Sequence, residues 1–264
     1  AMGVKGIGIA TIIAQLVSLI IILIKVIKNE RVKKLTMEYL VPKFTYFKNI
    51  FFQSMPITIS ICGYALAAAI IFTYVGQSGE FAVAGYGVGT RIEQVVLLPI
   101  LGINTAIISI ISQNFGAKNY IRIKETYFTA IKYAFIIMVI SGIIVFISAS
   151  IITSIFSNDP EVIEYGKRYL KISAFVLPAY PVFFLSNGFF MALKKSENAM
   201  ISNFFRNVLN PIAVFYIAKY INASFETFFW LWVGINWFFS ISYFFIIIYY
   251  FKIKLNKSST VVQP

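Results

Sequence analysis

Residues 127–156 read YFTAIKYAFIIMVISGIIVFISASIITSIF. One charge, Lys132, interrupts a stretch that is apolar on every side of a helix and far longer than a core strand. A run of about 20 such residues spans the roughly 30 Å of a bilayer's hydrocarbon. The run is apolar all round, whereas the strands of a membrane barrel alternate over about ten residues. Backbone polar groups in lipid must be satisfied internally, so this stretch reads as a transmembrane helix.

Six further runs share this character: Ile7–Ile27, Ile50–Val75, Phe81–Ile111, Tyr169–Leu193, Ala199–Tyr220 and Phe228–Phe251. The expected fold is therefore all-α, a polytopic helical membrane protein with about seven transmembrane helices. Composition agrees. Of 264 residues, 59% are hydrophobic and 12% charged, too few charges to cover a soluble surface. With 27 Phe and 16 Tyr the chain is no solvated coil. One cysteine excludes an internal disulfide framework, and the lack of histidine excludes a histidine zinc site or a Ser-His-Asp triad within the chain. The first run lacks the basic region and small-residue cleavage site of a signal peptide.

The net charge of +13 would point to nucleic acid in a soluble protein. Here the basic residues cluster after alternate runs, at 28–48, 118–124, 194–195 and 252–257. The positive-inside rule places those segments in the cytoplasm, leaving Ala1 external and Pro264 cytoplasmic in a multi-pass plasma-membrane protein. Part of 28–48 is expected along the interface as an amphipathic helix. Lys132 is expected to snorkel to the cytoplasmic interface. Lys167, Arg168 and Lys171 break the pattern on the outer side, beside Glu161 and Glu164, where local pairing explains them.

Three stretches carry a resemblance. Residues 84–117, AGYGVGTRIEQVVLLPILGINTAIISIISQNFGA, resemble the eighth helix of the multidrug and toxic compound extrusion (MATE) family. Residues 187–198, NGFFMALKKSEN, resemble the end of its tenth helix, with Lys194 and Lys195 where a glycine is usual. Residues 202–211, SNFFRNVLNP, resemble its eleventh, and the opening GVKGIGIATIIAQ the start of its sixth. Family members have two six-helix lobes. The resemblance implies a last first-lobe helix at 1–27, an interlobe linker at 28–48, the second lobe at 49–257 and a polar tail at 258–264. The first five helices would be missing, so the chain alone should insert but not transport. The implied activity is export of amphipathic or cationic small molecules, driven by Na⁺ or H⁺ as coupling ion. No cofactor, metal or nucleic-acid partner is expected. The implied partners are the bilayer and a first lobe.

Glu93 is the acid deepest inside a run, about 12 residues or roughly 18 Å in. An ionisable group there marks either function or a packing bond. Arg91 stands at i−2, on another side, so Glu93 needs a partner elsewhere, and Arg206 is a candidate. Asn203, Arg206, Asn207 and Asn210 form one helical stripe, reading as cavity wall or interhelical glue. Gln94 and Asn187 join the cavity candidates. Tyr64 and Tyr180 stand near positions where some family members carry cation-binding carboxylates. Their faces suit cationic drugs or ordinary packing. Pro99, Pro178 and Pro181 are candidate hinges, with Pro56 and Pro211 as further bends. Cys62 reads as a small buried hydrophobe, and Gly85–Gly89 is no nucleotide loop, lacking βαβ context. A lipid-linked saccharide flippase and a membrane scaffold remain alternatives. An enzyme is not expected, since titratable groups do not converge.

Overall fold

A computed structural model describes residues 3–28 and 44–252. The chain divides into two compact units, 1–52 and 53–264. In the first, helix α1 (Gly3–Ile27) exposes apolar side chains all round from Ile9 to Ile27. A helix apolar all round suits lipid as its solvent. Helix α2 (Phe44–Val75) begins inside the expected 28–48 linker and crosses the unit boundary. The rest of that linker, with Lys34, and the 258–264 tail lie outside the described residues.

The second unit continues with α3 (Glu80–Val96), α4 (Leu98–Gly116), α5 (Tyr120–Phe156), α6 (Pro160–Ser173), α7 (Tyr180–Ala192), α8 (Ser196–Phe204), α9 (Asn210–Tyr220) and α10 (Phe225–Tyr250). No strand occurs among the described residues. Five helical stretches there are long and apolar enough to cross a membrane: 9–27, 80–116, 120–156, 160–192 and 225–250. The fold is an all-helical, multi-pass membrane architecture. The polar linkers proved shorter than hydropathy implied. The segment 113–125 is helical except at residues 117–119, because helices run past the hydrocarbon into the headgroup region with polar residues.

Helix ends follow local chemistry. Asn119, Asp159 and Ser224 cap α5, α6 and α10 by accepting backbone N–H groups. Lys118, Lys194 and Asn222 have φ of +57°, +57° and +49°, the left-handed position that closes a helix. Lys195 N–H donates to Phe190 and Lys194 N–H to Met191, at 2.9 and 3.0 Å. The turn after α7 is thus closed by a lysine in the left-handed region that glycine adopts most readily.

Two helices are interrupted. Pro99 has no N–H for the preceding turn, and the run at 80–116 breaks at Leu97. Pro178 and Pro181 break the run at 160–192, through a turn at 174–176 and the tight helical turn Leu177–Ala179. Carbonyls freed there are recovered by α10. Trp237 Nε1 donates to Phe175 O at 2.8 Å, and Ser240 Oγ to Ala179 O at 3.1 Å. In the sixth run, Pro211 is preceded by a wide π turn, Phe205–Leu209, where Asn210 N–H reaches back to Phe205 O.

Helix α3 packs on α6 and α4 on α7, with α5 against both pairs, so the two breaks lie side by side. The α3–α6 contact is very close. A Cβ on Gly85 would stand 2.7 Å from Gly166 N and 2.8 Å from Val162 O. One on Gly89 would meet the Tyr169 ring at 2.2 Å. Gly85 and Gly89 form the small-residue, i to i+4 seam by which membrane helices approach.

Candidate functional site

The side-by-side breaks bring one carboxylate between both halves of the second broken helix. Glu93, one turn before the Leu97 break, accepts a hydrogen bond from Tyr180 OH on Oε1 at 2.6 Å. Its Oε2 accepts from Tyr169 OH. Tyr169 lies four residues before the end of α6 and Tyr180 starts α7, so Glu93 clasps the segment on either side of its interruption. Both phenols are buried, and Tyr86 and Phe229 pack edge-on against Tyr169 with centroids 4.9 and 4.8 Å away. Charge-assisted O–H···O⁻ bonds in such a setting are about twice as strong as neutral ones.

Arg206 is not the ion-pair partner of Glu93. Among the described residues the ion pairs are Glu164 with Lys167 and Arg168, at 2.9 and 3.0 Å, and Arg168 with Glu226 at 3.4 Å. Lys167 and Arg168 are therefore locally paired, through Glu164, whereas Lys171 instead lies over the Phe146 ring, 5.4 Å from its centroid. Arg206 instead lays its guanidinium over the rings of Phe183, Tyr180 and Phe184, at 4.1, 4.8 and 5.7 Å from their centroids. Its Nε donates to Asn236 Oδ1 at 3.1 Å. The Tyr180 ring thus separates the two charges. In place of the carboxylate, the arginine meets the aromatic faces that α7 presents.

A second polar chain runs beside this one. Asn187 Nδ2 donates to Asn203 Oδ1 at 3.1 Å, and Tyr243 OH donates to Asn187 Oδ1 at 3.2 Å. Asn207 and Asn210 are buried, with Asn207 Nδ2 and both polar atoms of Asn210 lacking a hydrogen-bond partner among the described residues. The predicted stripe of Asn203, Arg206, Asn207 and Asn210 therefore does turn inward. Glu93, Tyr180, Asn187, Asn203 and Arg206 are drawn into one region. Arg91, Gln94, Tyr64 and Pro99 are exposed and do not join it. Cys62 is exposed rather than buried. Lys132 is exposed.

Tyr169 and Asn236 escaped the sequence reading. Asn236 is a polar residue inside the apolar run 228–251, the same signal that flagged Glu93. Tyr169 carries no such signal, since its role comes from the break that folds α6 and α7 around Glu93. A groove of about 540 Å³ near Trp230, Trp237 and Pro178 is apolar and holds no comparable group.

Comparison with known proteins fits this architecture. The family model described as MatE matches residues 56–216. A protein named "Probable multidrug resistance protein YpnP" from Bacillus subtilis is 24% identical over 233 residues, covering 88% of this chain and 49% of its own length. One named "FAD transporter" from Shewanella oneidensis is 25% identical over 158 residues, 60% of this chain and 35% of its own. A solved MOP superfamily transporter from Pyrococcus furiosus superposes with a TM-score of 0.75 at 20% identity, covering 85% of this chain and 50% of that one. The chain spans about half the length of the relatives it matches most fully. The interrupted helices, the mid-span carboxylate and a family match over most of the second unit lead to one conclusion: this chain belongs to the MatE family.

Proposed function

We propose that residues 49–257 form the second lobe of a secondary-active exporter of amphipathic or cationic small molecules, driven by Na⁺ or H⁺. Residues 1–27 supply the last helix of a first lobe and 28–48 join the two. The observation that carries this reading is Glu93, a mid-span carboxylate clasping two interrupted helices beside a buried, partly unpartnered polar stripe. Interrupted helices near the midplane are where transporters bind and move. The names of the relatives, multidrug resistance and FAD transport, support small-molecule cargo. Pro99, Pro178 and Pro181 sit at helix restarts and serve as hinges of one lobe rocking on the other. Tyr64, Arg91 and Gln94, exposed here, face the cavity between lobes. Coupling rests on a carboxylate of the first lobe, and Glu93 holds the second lobe's geometry.

The test is transport by the full-length polypeptide in proteoliposomes. Ethidium should accumulate against its gradient when a Na⁺ or pH gradient is imposed, and stop when that gradient is collapsed. Flux indifferent to both gradients would overturn the exporter reading.

Orientation in the plasma membrane follows from the basic bias of alternate linkers, with Ala1 outside and Pro264 inside. A cysteine at position 159 should react with an impermeant thiol reagent on intact cells, and one at 194 should not. The background is Cys62→Ala. Labelling at 194 alone would reverse the topology.

A further inference from the structure

Arg206 carries a buried positive charge that no carboxylate among the described residues meets. It is 7% exposed. The nearest acid in its network, Glu93, gives both oxygens to tyrosines and stands behind the Tyr180 ring. Of the guanidinium's donors, Nε alone has a hydrogen-bond acceptor among the described residues. A buried cation is costly unless it is paired and bonded, and its terminal amino groups form a planar fork suited to a carboxylate.

The same residue lines a cavity of about 230 Å³. Helix α8 leaves α10 here, since α8 packs on α7 while α9 is the neighbour of α10. Phe183, Phe205, Phe238 and Phe239 wall the gap, with Ser242 on one side and Ile246 at its rim. Phe238 and Ile246 are 67% and 54% exposed, so the cavity is open along α10.

We infer that this cavity binds a small aromatic monocarboxylate, its carboxylate on the Arg206 fork and its ring between the phenylalanines. Charge and shape both select that class. One arginine balances one negative charge, and flat aromatic walls favour a flat ring. The flat aromatic walls argue against a lipid headgroup, which offers no ring to stack on them. The inference concerns binding alone and stands apart from the direction or coupling of transport.

The probe is 2-naphthoate, with 2-naphthylmethylammonium and 2-naphthalenemethanol as cationic and neutral counterparts of the same ring. Binding to the purified full-length protein in nanodiscs is followed by naphthalene fluorescence. Naphthoate should bind saturably and about tenfold or more tighter than either counterpart, the scale of one charge-assisted contact. Arg206→Gln should remove that preference. Ile246→Trp, which plugs the rim and leaves the arginine in place, should weaken naphthoate with an unchanged melting temperature. If Arg206→Gln fails to fold, Ile246→Trp decides. Equal binding of all three probes would overturn the inference, and so would a first-lobe carboxylate already seated on Arg206, which gives the same readout. A preference that survives Arg206→Gln, or Ile246→Trp without effect, would also overturn it.

Discussion

Gly85→Ala should lower the stability of the lobe by about 1–3 kcal/mol, the usual cost of forcing an extra carbon into a packed contact. The new Cβ would stand 2.7 Å from the backbone nitrogen of Gly166 and 2.8 Å from the carbonyl of Val162. Neither atom can rotate away, so α3 and α6 must separate. Their separation draws Tyr169 from Glu93, because both helices carry one end of that bond. Gly87→Ala, two residues along, is the matched control. No atom lies within 4 Å of its added Cβ, and alanine is the better helix former. Thermal unfolding in detergent, followed by tryptophan fluorescence, should show a lower midpoint for Gly85→Ala and an unchanged or higher one for Gly87→Ala. Equal midpoints would mean that the α3–α6 seam does not hold the two broken helices together.

The second large effect belongs to Glu93. Glu93→Leu removes the acceptor of two buried phenols at once, and each unsatisfied group costs about 1–3 kcal/mol. Glu93→Gln keeps one carbonyl oxygen for one phenol and offers the other an N–H donor, for which a hydroxyl oxygen is a fair acceptor. The expected order of thermal midpoints is therefore wild type, then Gln, then Leu. A leucine variant as stable as wild type would show that the two bonds contribute nothing to the clasp.

Hydropathy made the membrane architecture legible, because every spanning run is longer and more uniformly apolar than a core element needs. Glu93 was legible for the converse reason, as an acid where lipid surrounds the chain. Its partners were not. A carboxylate deep in a run invites an arginine, and Arg206 was the available cation. The phenols won because the proline-driven break folds Tyr169 and Tyr180 toward the same point, a geometry with no signature in residue spacing. The prolines signalled bends, yet the carbonyls they free were matched to Trp237 and Ser240 only in three dimensions. The glycines at 85 and 89 could be dismissed as a nucleotide loop from sequence. Their use in bringing α3 against α6 depends on the facing Gly166, which lies outside the apolar runs, just before Tyr169.

The central claim is that Glu93 clasps the interrupted helices while ion coupling resides in the first lobe. Its most direct test is gradient-driven ethidium transport by full-length Glu93→Gln in proteoliposomes, with ethidium binding and the thermal midpoint measured on the same preparation. The amide preserves shape and most hydrogen bonding but cannot carry charge or exchange a cation. Transport should be slower than wild type and still respond to the imposed Na⁺ or pH gradient. Transport that no longer responds to either gradient, with ethidium binding and folding intact, would contradict the account and place the coupling site at Glu93.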